Sequence, residues 1–388
     1  MCAIVPSTWV AFAIQVLLLF YKPSYFFMLY RTNTYTVESV TSGHPDKVCD
    51  QISDAILDAC LEQDPYSRVA VETFGSHGLL VIGGEVTTKA KVDYERIARD
   101  LYSALGYQDR LKVIVHIAEQ SGDIAQGVDT GGAGDQGIMY GYATDETPEY
   151  LPKGVVLVHN LTKGLEYLRR KGGVSWLRPD GKAQVTVMNG EVATILVSCQ
   201  HAEDVSQGEI RESLIDRLIN PLVGSIGEIE VLVNPTGSFV RGGFAADAGL
   251  TGRKIIVDTY GGLVPHGGGA FSGKDSTKVD RSAAYMCRFV AKQLVAGGFA
   301  HECLVSVAYA IGRAEPVMVE AINEKGENIL KKSGQPYDFR PQAIIERLGL
   351  RQPIFRKTAA YGHFGKKGLP WEEIAALPKK EKAFSFSF

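Results

Sequence analysis

The densest run of chemically capable residues in this sequence is His266-Gly267-Gly268-Gly269-Ala270-Phe271-Ser272-Gly273-Lys274-Asp275-Ser276-Thr277-Lys278-Val279-Asp280-Arg281. Glycines remove side-chain bulk so that backbone N–H groups can line a phosphate, and Lys274 and Lys278 add positive charge beside a helix start. The natural ligand of such a run is a polyphosphate. Gly268 to Lys274 even satisfies the G-x-x-x-x-G-K spacing of a P-loop, but Asp275 stands where that motif needs a hydroxyl for magnesium, so the P-loop reading fails. The plain alternative is a flexible loop ahead of a basic helix.

A second constellation, Gly43-His44-Pro45-Asp46-Lys47, presents an imidazole, a carboxylate and an amine at the start of a helix. Asp46 suits a hard cation, because magnesium takes only one or two protein carboxylates beside substrate phosphates. An acid in the first turn is also favourable through the helix dipole, with no ligand involved. The stretches Leu177-Arg178-Pro179-Asp180-Gly181-Lys182 and Leu250-Thr251-Gly252-Arg253-Lys254 are basic turns that read equally as solvated surface.

The elements that must hold these groups alternate between strand and helix. Residues 35–40 read as a strand entering the 42–45 turn, followed by a helix carrying Ile52, Ile56, Leu57, Cys60 and Leu61 and stopped at Asp64-Pro65. Strands at 69–74 and 79–82, a helix at 94–105 and a strand at 113–115 complete a first unit. A glycine-rich break covers 120–134. A second unit holds a helix at 155–170, strands at 184–188 and 192–198, and a helix at 209–219. The third is expected to open on a strand at 254–258, cross the glycine-rich loop and enter a helix at 279–294. The corresponding division of the chain is 1–30, an apolar extension; 31–130, 131–241 and 242–382, three α/β domains; and 383–388, a tail. No fixed-period repeat is visible.

The 388 residues exceed one ordinary domain, and 41 basic against 44 acidic residues give a net charge of −3. That balance, without a basic stripe, disfavours a nucleic-acid module. With 45% hydrophobic and 22% charged residues the chain can bury large cores. The six cysteines show no C-x-x-C spacing and read as reduced, buried thiols of a cytoplasmic protein. Residues 1–21 carry no charge, and only Gln15 interrupts the apolar run 10–20. The run approaches the length of a membrane span but lacks the basic start and cleavage site of a secretory signal. The preferred reading is a dispensable extension with Met28 as an alternative start, an anchor or partner-binding helix being the competing ones. Beyond Arg31 nothing approaches ~18 apolar residues, so membrane association of the rest is not expected.

Taken together, Gly-His-Pro-Asp-Lys at 43–47, Gly-Ala-Gly-Asp-Gln-Gly at 132–137, Gly-Gly-Gly-Ala-Phe-Ser-Gly-Lys-Asp at 267–275, Asp-Thr-Tyr-Gly-Gly at 258–262 and Ala-Tyr-Gly-His-Phe-Gly at 360–365 resemble the S-adenosylmethionine synthetase family from about Tyr35 to Trp371. The resemblance implies transfer of the adenosyl group of ATP to methionine sulfur by attack on ribose C5′, then hydrolysis of the bound tripolyphosphate to phosphate and diphosphate. It implies three related, intertwined α/β domains, each a small mixed sheet with helices on one face. Their bare sheet faces would pair across a homodimer, or a homotetramer of two dimers, with active sites between subunits.

By the same resemblance, His44, Lys182, Lys274 and Lys278 are the catalytic set. ATP would contact His44, Asp180, Lys182, Ser238, Phe239, Asp247, Arg253, Lys254, Ala270 and Lys274. Methionine would contact Glu85, Gln120, Asp247 and Lys278. Asp46 and Asp280 would hold Mg²⁺, two ions per site, and Glu72 would hold K⁺. Residues 120–130 resemble a gate over the site, here on a short connection to Ala133. Two departures touch the adenine side: Ser238 replaces a basic residue, and Gly242-Gly243-Phe244-Ala245-Ala246-Asp247 replaces a Gly-Gly-Pro-x-Gly-Asp pattern. The competing readings are a nucleotide-binding protein that lost the reaction and a P-loop kinase, the latter disfavoured by Asp275.

Overall fold

The computed structural model describes residues 33–119 and 131–375. The apolar extension, Gln120 with the expected gate 120–130, and the tail lie outside the described residues. In chain order, β1 (Thr34–Val40) leads into α1 (Pro45–Gln63), β2 (Arg68–Ser76), β3 (Leu79–Thr87), α2 (Tyr94–Leu105) and β4 (Lys112–Ala118). Next come β5 (Gly137–Thr144), α3 (Lys153–Arg170), β6 (Leu177–Met188), β7 (Glu191–His201), α4 (Gln207–Leu214) and β8 (Glu230–Val233). The last third holds β9 (Gly249–Leu250), α5 (Val279–Ala296), β10 (Glu302–Tyr309), β11 (Met318–Asn323) and α6 (Pro341–Arg347).

Local chemistry sets the boundaries. His77 and Gly78, at φ 44° and 80°, form the two-residue turn between β2 and β3, and Asn189-Gly190, at 51° and 81°, does the same between β6 and β7. Positive φ at both central residues matches the twist of a tight hairpin. At the start of α1, Pro45 occupies the first turn and His44 Nδ1 accepts the Asp46 amide at 3.2 Å. Proline costs nothing there, because its missing N–H has no helical partner.

The strands form three sheets, ordered β1-β6-β7-β8, β11-β10-β5 and β4-β3-β2-β9. Each third of the chain gives its first strand away: β1 joins β6, β5 joins β10, and β9 joins β2. The three α/β units are therefore intertwined, each sheet backed on one face by helices: α3 on the first, α5 with α6 behind it on the second, α1 and α2 on the third. The core divides into two clusters, one around α3 and the other shared by the remaining two sheets.

Two expectations need correction. Residues 254–258 do not form a strand; Ile255–Asp258 make one helical turn, closed by the Asp258 amide on the Lys254 carbonyl at 2.9 Å. A short apolar run fits either period, and here ion pairs of Lys254 with Asp46 and of Asp258 with Lys47 decide the outcome. Residues 177–182 are not a surface turn but the first half of β6, with a register shift between Leu177 and Gly181 that accommodates Pro179. Proline has no ladder donor and enters a sheet at such irregularities.

Candidate active site

Helix α1 is buried on nearly all sides from Pro45 to Leu57 although it carries four aspartates and a lysine over that span and the turn beyond it. Asp46, Asp50, Asp54 and Asp58 recur every fourth residue and so stack along one face. Each captures main-chain amides of the last third of the chain: Asp46 that of Leu250 at 2.9 Å, Asp50 that of Gly252 at 2.8 Å, Asp54 that of Gly273 at 2.8 Å, and Asp58 those of Phe355 and Arg356 at 2.9 and 2.8 Å. Charged acceptors make stronger hydrogen bonds than neutral ones, so this ladder fixes both basic segments, 250–254 and 267–281, against one helix.

The first group gathers at the N-terminal end of α1. Asp46 Oδ2 takes Lys254 Nζ at 2.5 Å, and Arg253 Nε lies 3.6 Å from Oδ1. Burial would raise the Asp46 carboxyl, but the bonds from Lys254 and the Leu250 amide outweigh it and hold the group below the usual carboxylate range. His44 is buried, and desolvation, aided by the charges of Lys254 and Lys182, pushes its imidazole down to about 3. His44 is thus a neutral donor or acceptor. The β1–β6 register sets Lys182 opposite Val40, and its exposed side chain makes no ion pair among the described residues.

Asp180 lies beside it, buried, with Oδ2 accepting the Gly243 amide at 2.8 Å and Oδ1 without a hydrogen-bond partner among the described residues. Burial pushes this carboxyl up to about 6 against the pull of the Gly243 and Gly181 amides and Lys182. Asp180 feels the charge of Asp247, which is exposed and accepts the Ala248 amide at 2.7 Å. Ser238 is exposed and Phe239 half-buried, its amide donating to His201 Nε2 at 3.0 Å. Ala270 packs on the 250–254 turn so closely that a Cβ on Gly252 would sit 2.6 Å from its own.

The second group surrounds an open cavity of about 390 Å³ lined by Glu85, Asp135, Lys274, Lys278 and Asp280. Ala70 on β2 pairs with Glu85 on β3 and, by an isolated bridge, with Lys274. Lys274 Nζ reaches Asp280 Oδ2 at 2.6 Å, and Lys278 pairs with the buried Asp275. Burial would raise Asp275, but Lys278 outweighs it and holds the carboxyl low. Glu72 is exposed two residues from Ala70, on the same face of β2. Gly273 shows why a glycine stands there: at φ +79° an added Cβ would run into the Val71 carbonyl.

The expected site residues therefore fall into two groups along α1. Asp46 serves one and Asp54 the other; eight residues of helix separate them by about 12 Å. Sequence reasoning passed over Asp135 as a site residue, although it sits inside the 132–137 motif, and it missed the aspartate ladder, whose only signal was the i, i+4 spacing. Among the described residues no three His, Cys, Asp or Glu side chains converge as a ready metal cage. Single carboxylates beside lysines, as at Asp46 and Asp280, fit a magnesium ion that draws its other ligands from phosphate and water. The five described cysteines are free and buried.

Comparison with known proteins gives the family. The sequence matches three domain families: the S-adenosylmethionine synthetase N-terminal domain over residues 32–122, its central domain over 130–239 and its C-terminal domain over 241–373. It is 50% identical over 394 residues to the S-adenosylmethionine synthase of Petrotoga mobilis, covering 90% of this chain and 98% of that one. It is 50% identical to the S-adenosylmethionine synthase of Pseudothermotoga lettingae, covering 90% and 99%. With that of Desulforudis audaxviator it shares 51% over 379 residues, covering 88% and 95%.

Proposed function

The chain belongs to the S-adenosylmethionine synthetase family and makes S-adenosylmethionine from ATP and L-methionine; we propose that it does so by electrostatic stabilisation of a departing triphosphate. The thioether sulfur is a neutral nucleophile that needs no base. It attacks ribose C5′, the C5′–O bond breaks with its electron pair, and the triphosphate leaves with one more negative charge. Stabilising that charge is the protein's main task.

The observation that carries this reading is the concentration of cations around few acids: Arg253 and Lys254 about Asp46, Lys182 near the adjoining His44, and Lys274 and Lys278 beside the glycine loop. His44, held neutral, donates a hydrogen bond to the phosphate nearest C5′. Lys274 and Lys278 grip the chain of phosphates as the bond breaks. Phe239 and Ala270 flank the adenosine, with Asp180, Ser238 and Asp247 at its polar edges. Glu85, Asp247 and Lys278 bind methionine, with Gln120 as the remaining candidate outside the described residues. Asp46 and Asp280 would hold magnesium and Glu72 potassium; bound there, the metals supply charge that neutralises phosphate oxygens. The bound tripolyphosphate is then hydrolysed to phosphate and diphosphate.

The site is completed between two copies of the chain. Phe74, Val81 and Ile114 are cross-strand neighbours on the face of the third sheet opposite its helices, with Phe74 and Ile114 38% and 41% exposed. Glu72 and Glu85 share that face, so the second group opens where an apolar partner surface would lie. In the second sheet Ile138, Ala308 and Met318 form a similar row. Apolar rows of this kind suit a homodimer, which can pair again into a tetramer. Among the described residues no helix is long and apolar enough to cross a membrane, and we place the enzyme in the cytoplasm.

The test is ATP carrying ¹⁸O in the C5′-bridging position, incubated with methionine, Mg²⁺ and K⁺. The label is expected in the phosphate products, with one phosphate and one diphosphate per S-adenosylmethionine. Absence of product, or label left on the ribose, would overturn the mechanism.

A further inference from the structure

Outside both groups, α1, α2, α3 and the segment 356–366 enclose an open cavity of about 540 Å³. Its wall carries five cations, Lys163, Arg170, Arg356, Lys357 and Lys366, and one carboxylate, Glu166. That carboxylate is already engaged, by Arg170 Nε at 2.7 Å and by the Tyr361 hydroxyl. The side chains of Lys163 and Arg356 have no ion pair or hydrogen bond among the described residues. Lys366 Nζ pairs with no carboxylate among the described residues; it donates to the carbonyls of Lys357 at 2.8 Å, Thr358 at 3.3 Å and Ala360 at 2.5 Å. Among the described residues Lys357 reaches only the Gly368 carbonyl, at 3.1 Å.

Such an excess of like charge is costly where water is partly excluded. Its effect is visible at Lys366, pushed down to about 7 by burial and then by the facing charges of Lys163 and Lys47, which Asp258 and Asp54 only partly offset. The acids of the adjoining cleft, Asp58, Glu62 and Asp100, share Arg356 but do not line this cavity. A compact anion of several charges would relieve the repulsion. Phosphate oxygens fit a mixed set of guanidinium forks and ammonium groups better than a single carboxylate would.

We infer that this cavity is an accessory binding site for a phosphate-class polyanion of the size of inorganic diphosphate, separate from the reacting site. The wall also touches the turn that carries His44. The Ser42 amide donates to the Tyr361 hydroxyl oxygen at 3.2 Å, and Gln51 Nε2 donates to the Ser42 carbonyl at 2.7 Å. Residue 42 is thus held by two side chains of the cavity wall, two residues before His44.

The test is calorimetric titration of the full-length enzyme with inorganic diphosphate in the absence of Mg²⁺. Three proteins are compared: wild type, Lys163→Gln/Arg356→Gln, and the control Lys325→Gln/Lys331→Gln, which removes the same charge from two exposed lysines after β11. The cavity variant is expected to lose one class of binding, or to weaken it at least tenfold, while the control matches wild type. Its kcat without added diphosphate should stay within twofold, showing an intact fold and reacting site. Identical isotherms for all three proteins, or equal weakening in the control, would overturn the inference.

Discussion

Arg281 Nη1 and Nη2 bind the two oxygens of Asp54 at 2.7 and 2.8 Å, both side chains fully buried, while Asp54 Oδ1 also accepts the Gly273 amide at 2.8 Å. The same guanidinium donates to the Lys274 carbonyl at 3.1 Å and lies over the Phe355 ring, 4.3 Å from its centroid. One bidentate pair therefore ties α1 to both ends of the Gly273-Lys274 peptide.

Removing one partner of a buried pair leaves an uncompensated charge, at a cost of about 3–5 kcal/mol. Asp54→Asn should lower the stability measured by urea unfolding by that amount. Arg281→Lys, which keeps the charge but not the fork, should be only partly tolerated. A loss below about 1 kcal/mol for Asp54→Asn would mean the pair is not what holds the loop.

Lys274 faces phosphate charge that grows only in the transition state. Lys274→Ala is therefore expected to slow the single-turnover rate of S-adenosylmethionine formation by about 10²–10³, with a much smaller change in methionine affinity. Equal single-turnover rates in variant and wild type would remove Lys274 from the chemical step.

His159 is buried, its Nδ1 at 2.8 Å from Ser39 Oγ, and burial followed by the charges of Lys163 and Lys366 pushes it down to about 3 from 6.5. A depressed folded value means that the stabilising contribution is complete above the unfolded value of 6.5. It is lost as pH falls toward 3, because the unfolded chain takes up a proton that the folded one refuses. Buried acids such as Asp58, pushed up to about 6 chiefly by burial, act in the opposite sense, so the comparison must be between variants. Between pH 6 and 4, roughly the window named, wild type should lose about 1.4 kcal/mol per pH unit more than His159→Gln. Parallel stability curves would show that the imidazole titrates normally.

The apolar row on the third sheet predicts an assembly effect. Phe74→Glu/Ile114→Glu puts two charges where a partner's sheet would pack, and like charges meet across a two-fold interface. Sedimentation should show a shift toward monomer together with at least tenfold loss of activity, since the second group would lose the surface it opens onto. A fully active monomer would refute a shared site.

At Gly269 an added Cβ would intrude into the Asp280 carboxylate. Gly269→Ala should disturb the Lys274–Asp280 pair and raise the Mg²⁺ concentration for half-maximal velocity about tenfold, a shift of about 1.4 kcal/mol. The melting temperature should change little, because Gly269 lies half-buried in a loop outside the two hydrophobic clusters. An unchanged Mg²⁺ requirement would argue against Asp280 as the ligand.

The family, the glycine-lysine loop and most helices and strands were legible in the linear order, because each rests on local information: a period, a turn residue, a motif of adjacent side chains. α2 was legible to the residue, since Asp93 caps it and Gly106 ends it in a left-handed conformation. Tertiary structure decided what depends on distant partners. Whether 254–258 became strand or helical turn was settled by Asp46 and Lys47, roughly two hundred residues upstream. In the linear order only Asp46 stood out, as a possible cation ligand or first-turn acid, and the i, i+4 spacing of Asp50, Asp54 and Asp58 carried no sign of burial. Only the fold shows them buried, because their partners are main-chain amides that no side-chain pattern can reveal. The division of the site into two groups is likewise absent from the linear order: the fold brings the neighbouring 250–254 and 267–281 segments to different turns of α1, at Asp46 and at Asp54.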